Sequence, residues 1–129
     1  TTRGINAGSP YYGIRSVYDG RYRYIVNLTP EATFQNVETK SPLFKEWQSL
    51  AETDAHAKAM TTKYQHRPAI ELYDVKNDPY CMKNLAEDAK QASTISRLDK
   101  ELKRWMKDCG DEGQPTEMRA FEHMPGKRK

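Results

Sequence analysis

The stretch YYGIRSVYDGRYRYIVNL, residues 11–28, decides how this chain begins to fold. Two runs rich in aromatic and β-branched residues flank Asp19-Gly20, a dipeptide typical of a type I′ turn, whose central residues need positive φ angles. Apolar residues recur at every second position from Tyr22 to Leu28, so they lie on one face of the second run. The pattern predicts a β-hairpin over residues 11–28.

The length of the loop fixes which side chains of this hairpin lie opposite one another. A two-residue loop predicts that Val17 pairs with Tyr22 and that Arg15 pairs with Tyr24 on the same face. In that register the Arg15 guanidinium lies over the Tyr24 ring at the surface, where the cation–π contact is structural.

A third strand is predicted over residues 69–75. Ile70 and Leu72 point to one side of such a strand, and Tyr73 and Val75 point to the other. Apolar residues on both faces are typical of a strand that is covered on both sides.

Apolar periodicity predicts a first helical stretch within residues 42–64. Ser41 provides an N-cap, Pro42 suits the first helical position, and large apolar residues recur at helical spacing. These residues are Leu43, Trp47 and Leu50.

A second helix is predicted over residues 88–108, and it ends before Gly110, a residue suited to the position that follows a helix. Its apolar side chains form one stripe opposite a face rich in Lys and Arg. The stripe consists of Ala92, Ile95, Leu98, Leu102, Trp105 and Met106.

Together these elements predict an α+β fold, a small antiparallel sheet (hairpin 11–28 plus strand 69–75) packed by helices, notably 88–108. We divide the chain into one domain, residues 1–110, and a polar C-terminal tail, residues 111–129.

Composition excludes several classes of protein. The 129 residues are 36% hydrophobic and 30% charged, which is polar for a globular domain, and no apolar run is long enough to span a membrane. A net charge of +3 does not by itself indicate nucleic acid as a partner. Two cysteines, Cys81 and Cys109, provide neither a disulfide framework nor zinc-ligand spacing.

The acidic stretch 74–79 superficially resembles a calcium loop. Lys76 and Pro79 stand where an EF-hand needs an oxygen ligand and a glycine, so a plain turn is favoured. The histidines show no ligand spacing, and the sequence offers neither the local context of a catalytic triad nor a glycine-rich phosphate loop. We therefore predict no catalytic and no metal-binding residue in this chain.

Basic residues cluster around the hairpin and before the third strand. They are Arg15, Arg21, Arg23, His66 and Arg67. An anionic sugar or a phosphate is one ligand for such a set. The alternative, which we favour, is that charges along strand edges prevent aggregation.

Several segments resemble the C-terminal region of sulfatases. IRSV at residues 14–17 and YIVNL at 24–28 fit that region, and SPLF at 41–44 resembles the heparan N-sulfatase (sulfamidase) branch. The most specific match is ELYDVKNDP at 71–79 followed by KNLA at 83–86. In sulfatases this passage joins the last strand to the C-terminal helix. The chain thus resembles a sulfatase C-terminal subdomain, and its opening residues read like a position within a longer protein.

The resemblance also implies what this chain lacks. Sulfatases use a formylglycine made within a Cys/Ser-x-Pro-x-Arg motif and a calcium ion, both in the N-terminal domain. Neither cysteine nor any serine here has proline two positions later and arginine four positions later. We therefore expect calcium and formylglycine in the N-terminal sulfatase domain of the same polypeptide, and we expect the isolated chain to be inactive.

By this resemblance the parent hydrolyses sulfate esters or N-sulfate groups, on glycosaminoglycan-type sugars. The chain completes the fold and forms one wall of the substrate pocket. Arg3, His66 and Arg67 are the candidate substrate-binding residues, because sulfate recognition favours cationic side chains with forked N–H donors. The alternative is a sulfated-glycan-binding or oligomerisation module without chemistry. The resemblance also implies a parent that is exported (periplasmic or extracellular) or lysosomal.

Self-association is a further expectation. The apolar stripe of one helix covers one face of the sheet and leaves the other face partly exposed to water. Exposed apolar patches tend to be buried by association. Met118, Phe121 and Met124 are the tail residues available to dock on a neighbouring chain. These features predict a homo-oligomer of the isolated chain. In the competing interpretation, the first helix folds over the second face through Leu43, Trp47 and Leu50 and leaves a monomer.

Overall fold

The computed structural model describes residues 12–119. Three strands, β1 (Ile14–Tyr18), β2 (Tyr22–Asn27) and β3 (Ile70–Asp74), form an antiparallel sheet in the order β1-β2-β3. The helices are α1 (Pro42–Leu50), α2 (Ala55–Gln65), α3 (Ala92–Asp108) and the short α4 (Gln114–Met118). The predicted α+β architecture is confirmed.

The hairpin is confirmed, but its predicted register is wrong by two residues. Val17 lies opposite Tyr24 rather than Tyr22, and residues 19–21 connect the two strands. Asp19 provides the reason, because its Oδ1 accepts hydrogen bonds from the backbone N–H groups of Arg21 and Tyr22 at 3.0 and 2.7 Å. This side-chain turn competes with the two-residue turn that Asp-Gly otherwise favours.

One face of the sheet packs against α3. Tyr24 of β2 and Leu72 of β3 form a buried cluster with Leu98 and Leu102 of α3. Full burial of one such side chain is worth about 1.5–3 kcal/mol, so this cluster holds the helix on the sheet. The Tyr24 hydroxyl donates to Asp99 Oδ1 at 3.1 Å, and burial raises the pKa of Tyr24 to about 12. The predicted packing of the second helix through its apolar stripe is therefore confirmed for Leu98 and Leu102.

The end of α3 turns the chain back toward β1. Gly110 has a φ of +69° and donates its N–H to the carbonyl of Lys107 at 3.1 Å, while the N–H of Asp111 reaches the carbonyl of Met106 at 2.7 Å. This pair of hydrogen bonds is a Schellman motif, which requires a left-handed residue at the position of Gly110. The predicted role of Gly110 is confirmed.

The opposite face of the sheet borders a groove whose other side is formed by two helices rather than one. Ser41 caps α1 as predicted, accepting from the Phe44 N–H at 3.1 Å, and Asp54 starts a separate helix by capping α2. Phe44 is the buried residue of α1, and its ring lies 5.5 Å from that of Tyr64 in α2.

Leu43, Trp47 and Leu50 are each about half exposed, so the predicted stripe does not form a closed core with the sheet. Phe44 is adjacent to the predicted stripe and points inward instead. Two residues of the stripe, Trp47 and Leu50, line a groove beside the sheet.

The outer edge of β3 is closed by the segment that follows the acidic turn. Asn84 Oδ1 accepts from the Leu72 N–H at 2.8 Å, and the Leu85 N–H donates to the Leu72 carbonyl at 2.8 Å. Asn84 also donates from Nδ2 to the Ile70 carbonyl at 3.2 Å. Asn84 therefore satisfies backbone groups at a free strand edge.

Candidate functional site

Arg15 is not a surface cation over a tyrosine ring. It lies opposite Val26, its side chain is 5% exposed, and it is enclosed by two carboxylates. Its Nη2 donates to Asp111 Oδ1 at 2.9 Å, its Nε donates to the other Asp111 oxygen, and its Nη1 lies 2.7 Å from Glu117 Oε1. The hydrogen bond from Arg15 lowers the pKa of Asp111. The predicted surface contact is wrong because it depended on the wrong register.

Arg21 is also occupied, although it stays partly exposed. Its Nη2 and Nε donate to Asp74 Oδ2 at 2.7 and 3.1 Å, and these hydrogen bonds lower the pKa of Asp74. Asp74 accepts in addition from Asn77 Nδ2 at 2.9 Å, as expected for a side-chain-stabilised turn. This pairing takes Arg21 out of the set of free cations.

Arg23 and Arg67 differ from every other arginine within residues 12–119. The others form ion pairs with carboxylates: Arg15, Arg21, Arg97, Arg104 and Arg119. Within the same range Arg23 contacts the Tyr18 ring at 5.8 Å and Arg67 contacts the Phe34 ring at 4.5 Å, without a carboxylate partner. An aromatic partner does not use up guanidinium N–H donors as a carboxylate does. These two side chains therefore keep donors for an anion.

Both free arginines line a groove of about 590 Å³ on the sheet face opposite α3. Strands β2 and β3 form its floor, α2 and the end of α1 form one side, and residues 80–82 form the other. Its basic residues are Arg23, His56, Lys63 and Arg67. Its aromatic residues are Trp47, Tyr64, Tyr73 and Tyr80.

Among the described residues that line this groove, Glu71 is the one with a carboxylate, and it is buried in the floor. Asn27 donates to its Oε1 at 2.7 Å, and the Tyr73 hydroxyl donates to its Oε2. Burial, and then the hydrogen bond to Glu71, raise the pKa of Tyr73. Both oxygens of Glu71 are thus engaged from within the sheet face.

Lys63 connects α2 to the far side of the groove. Its Nζ donates to the Cys81 and Met82 carbonyls at 2.5 and 2.8 Å and lies 5.1 Å from the centre of the Tyr73 ring. The Lys63 ammonium thus holds residues 81 and 82 in the groove wall. Arg23 and Arg67, which lack such partners within residues 12–119, are therefore better able to bind a ligand.

Trp47 and Tyr80 are large rings left at the rim of the groove. Trp47 is 49% exposed and Tyr80 is 85% exposed. The sequence pattern assigned Trp47 to a helix stripe and gave no role to Tyr80. One sequence signal could have identified Tyr80. It directly follows Pro79 at the end of a turn, where no helix or strand pattern requires an aromatic residue for the core.

The structure separates the candidate substrate-binding residues. Arg67 lines the groove, whereas His66, at the C-cap of α2, is exposed and lines a neighbouring cleft that includes Pro68 and Asn84. Arg3 lies outside the described residues. Adjacent positions in the sequence therefore face different cavities.

Residues 12–119 contain no group of three His, Cys, Asp or Glu side chains arranged to hold a metal ion. In the acidic turn, Asp78 accepts from the Lys83 N–H at 2.8 Å, which is a structural use of its carboxylate. None of the helices in this part of the chain has the length and hydropathy needed to cross a bilayer.

Two curated relatives are similar to this chain, and both are ulvan-active sulfatases of Formosa agariphila. One is 33% identical over 108 residues, which is 81% of this chain and 18% of the relative. The other is 33% identical over 104 residues, which is 80% of this chain and 19% of the relative. The chain therefore spans less than a fifth of the length of these relatives. No protein-family model matches it.

These similarities agree with the motif comparison. They support a sulfatase C-terminal subdomain, the coarser part of the predicted resemblance.

Proposed function

We propose that this chain is the C-terminal, non-catalytic part of a sulfatase, an enzyme that hydrolyses sulfate esters or N-sulfate groups on carbohydrates. The observation that carries the proposal is the 33% identity, over four-fifths of the chain, to a segment of two sulfatases. In this role the sheet and α3 form a small folding unit that completes the enzyme. The same unit presents its second face, with the groove, to the substrate side.

The reacting groups are proposed to come from the rest of the polypeptide. The 129 residues contain no Cys/Ser-x-Pro-x-Arg motif, so this chain offers no position for a formylglycine. A formylglycine and a calcium ion in an N-terminal sulfatase domain would supply the nucleophile and the charge that holds the sulfate. The residues described here would position the sugar that carries the sulfate.

The substrate is proposed to be a sulfated polysaccharide. The relatives are named for activity on ulvan, and the SPLF segment at 41–44 resembles the heparan N-sulfatase branch, which acts on glycosaminoglycan-type sugars. Ulvan and glycosaminoglycans are therefore the two substrates to test first. Arg3, His66 and Arg67 remain the proposed wall residues, with Arg67 in the groove and His66 in the cleft beside it.

The partners and the compartment follow from the same proposal. The main partner is the N-terminal sulfatase domain of the same polypeptide, and nucleic acid is not among the proposed partners. An exported or lysosomal location suits an enzyme that acts on sulfated polysaccharides. A homo-oligomer of the isolated chain also stays a proposal, and the half-exposed stripe Leu43, Trp47 and Leu50 supports it.

A segment exchange tests the proposed function. The matching segment of one Formosa agariphila sulfatase is replaced by this chain, and sulfate release from ulvan is compared with that of the intact relative and of a form lacking the segment. We expect the exchanged enzyme to fold and release sulfate, and the shortened form to be inactive. A folded exchange product that releases no sulfate would contradict the proposal.

A second assay tests where the chemistry lies. The isolated 129-residue chain is incubated with a chromogenic sulfate ester and added calcium. No turnover above a heat-killed control is expected, because the chain lacks the formylglycine motif. Turnover above that control would place a nucleophile within these residues.

A further inference from the structure

Arg23 and Arg67 are the arginines of residues 12–119 without a carboxylate partner, and both line the same groove. We propose that this groove is a binding site for a sulfated carbohydrate chain. In this proposal the two guanidinium groups bind sulfate, and the Trp47 and Tyr80 rings contact the sugar faces. The proposal rests on the proposed sulfatase function for its substrate class, but the binding itself requires only this chain.

The charge of the groove favours an anion. Arg23, Lys63 and Arg67 outnumber Glu71, whose two oxygens already accept hydrogen bonds from Asn27 and Tyr73. A sulfate group offers several oxygens on one centre, and a guanidinium binds such an anion through two parallel N–H donors. Because Arg23 and Arg67 contact rings rather than carboxylates, binding sulfate breaks no ion pair at either residue.

The rings at the rim favour a sugar as the carrier of that anion. Trp47 and Tyr80 contribute little to the core of this chain, since they are 49% and 85% exposed. An exposed aromatic face has both an apolar surface and a polar edge, which suits the mixed C–H and hydroxyl surface of a sugar ring. A groove of about 590 Å³ is within the usual range of about 300–1,000 Å³ for ligand sites.

A protein surface is the competing occupant. The half-exposed apolar side chains of α1 could also contact a second copy of this chain or another part of the enzyme. Free arginines in the floor and wall distinguish the two cases, because an apolar protein surface would leave both cations buried without an anion. The charge of the groove therefore favours the sulfated sugar.

Fluorescence of Trp47 provides a direct readout. The chain contains two tryptophans, so Trp105→Phe leaves Trp47 as the reporter, and Trp47→Phe leaves Trp105 on α3 as a matched control. Each protein is titrated at about 150 mM salt with ulvan oligosaccharides and with heparin oligosaccharides, where weak surface attraction is screened. The same oligosaccharides after desulfation serve as the second control. We expect a saturable change at Trp47 with at least one sulfated probe and no change at Trp105.

Charge variants then identify the binding residues. Arg23→Ala and Arg67→Ala should each weaken binding at least about tenfold, which is about 1.4 kcal/mol, because each removes charge-assisted hydrogen bonds to the sulfate. Arg104→Ala removes the same charge from an exposed pair with Glu101 on α3, so it should leave the dissociation constant within about twofold. Arg23 is exposed, so its variant carries the test if Arg67→Ala fails to fold.

Several results would overturn the proposal. These are no signal with either sulfated probe, equal binding of the desulfated probes, or an equal loss in Arg104→Ala. A dimer that Trp47→Ala dissociates, with no oligosaccharide binding, would assign the groove to a protein contact. If the exchanged enzyme releases sulfate but the isolated chain binds no probe, only the groove assignment fails. If the chain binds and the exchanged enzyme is inactive, only the sulfatase assignment fails.

Discussion

Arg15 of β1 and Asp111, 96 positions apart in the sequence, form a bidentate ion pair. Their side chains are 5% and 11% exposed, and Glu117 of α4 lies on the same guanidinium. The pair fastens the segment after α3 to the first strand of the sheet. The Arg15 guanidinium therefore connects the two ends of the described chain and is not available for a ligand.

Removing the carboxylate partner of Arg15 should destabilise the fold. Breaking a buried ion pair from one side costs about 3–5 kcal/mol, because the remaining charge is uncompensated, although Glu117 will offset part of this for Arg15. We expect Asp111→Ala to lower the free energy of unfolding by about 3 kcal/mol in urea denaturation. Glu101→Ala, which breaks the exposed pair with Arg104, should cost under about 1 kcal/mol. Equal losses in the two variants would contradict the structural role of Arg15.

The same pair predicts a pH dependence of stability. The pKa of Asp111 is lowered in the folded state, chiefly by the hydrogen bond from Arg15. Its contribution is therefore present above the unfolded pKa of about 3.9 and is lost as pH falls through the lower folded pKa.

The measurement is the difference in unfolding free energy between wild type and Asp111→Asn. We expect a large difference at neutral pH that shrinks below about pH 4. Asp19, whose pKa is lowered to about 2 by Arg97, titrates in both proteins and so cancels in the difference. A gap that stays constant down to about pH 2 would contradict the assignment.

A close approach at Gly13 gives a third prediction. A Cβ added there would lie 2.6 Å from Glu117 Cγ and 2.7 Å from Leu28 Cδ1, so neither neighbour can stay in place. Gly13→Ala should cost about 1–3 kcal/mol, the usual range for overpacking. In a Glu117→Ala background the cost should fall, and a double-mutant cycle from thermal unfolding measures that coupling. A cost that is unchanged in that background would mean that Glu117 does not limit the space.

The strands and the main helix could be predicted because local pattern determines them. Residues 69–75 contain β3, and residues 88–108 contain α3 with its buried Leu98 and Leu102. The hairpin register could not be predicted, since it depends on whether the Asp19 carboxylate or a two-residue turn satisfies the loop. That choice is made by one side chain rather than by the alternation of apolar residues.

The site was predictable only in its composition. Arginines near the hairpin allowed an anionic ligand as the less favoured interpretation, and which of them is free depends on partners distant in the sequence, such as Asp111 for Arg15. Helical periodicity placed Trp47 on an apolar face without showing whether this chain or another molecule covers that face. Only the tertiary contacts show whether an apolar residue on such a helix face belongs to the core or to a binding site.

The closure of the β3 edge by Asn84 gives the last prediction. Its Oδ1 accepts from the N–H groups of Leu72 and Ala86 at 2.8 and 3.0 Å, and its Nδ2 donates to the Ile70 carbonyl at 3.2 Å. Asn84→Ala removes all three hydrogen bonds and should cost about 1–3 kcal/mol, since backbone groups at the strand edge lose their partner. Asn84→Asp keeps the acceptor and loses only the donor, so it should cost less than Asn84→Ala at neutral pH. Amide hydrogen exchange at Leu72 provides the site-specific measurement, with faster exchange expected in Asn84→Ala and near-native protection in Asn84→Asp. Unchanged protection of the Leu72 amide in both variants would show that Asn84 does not hold this strand edge.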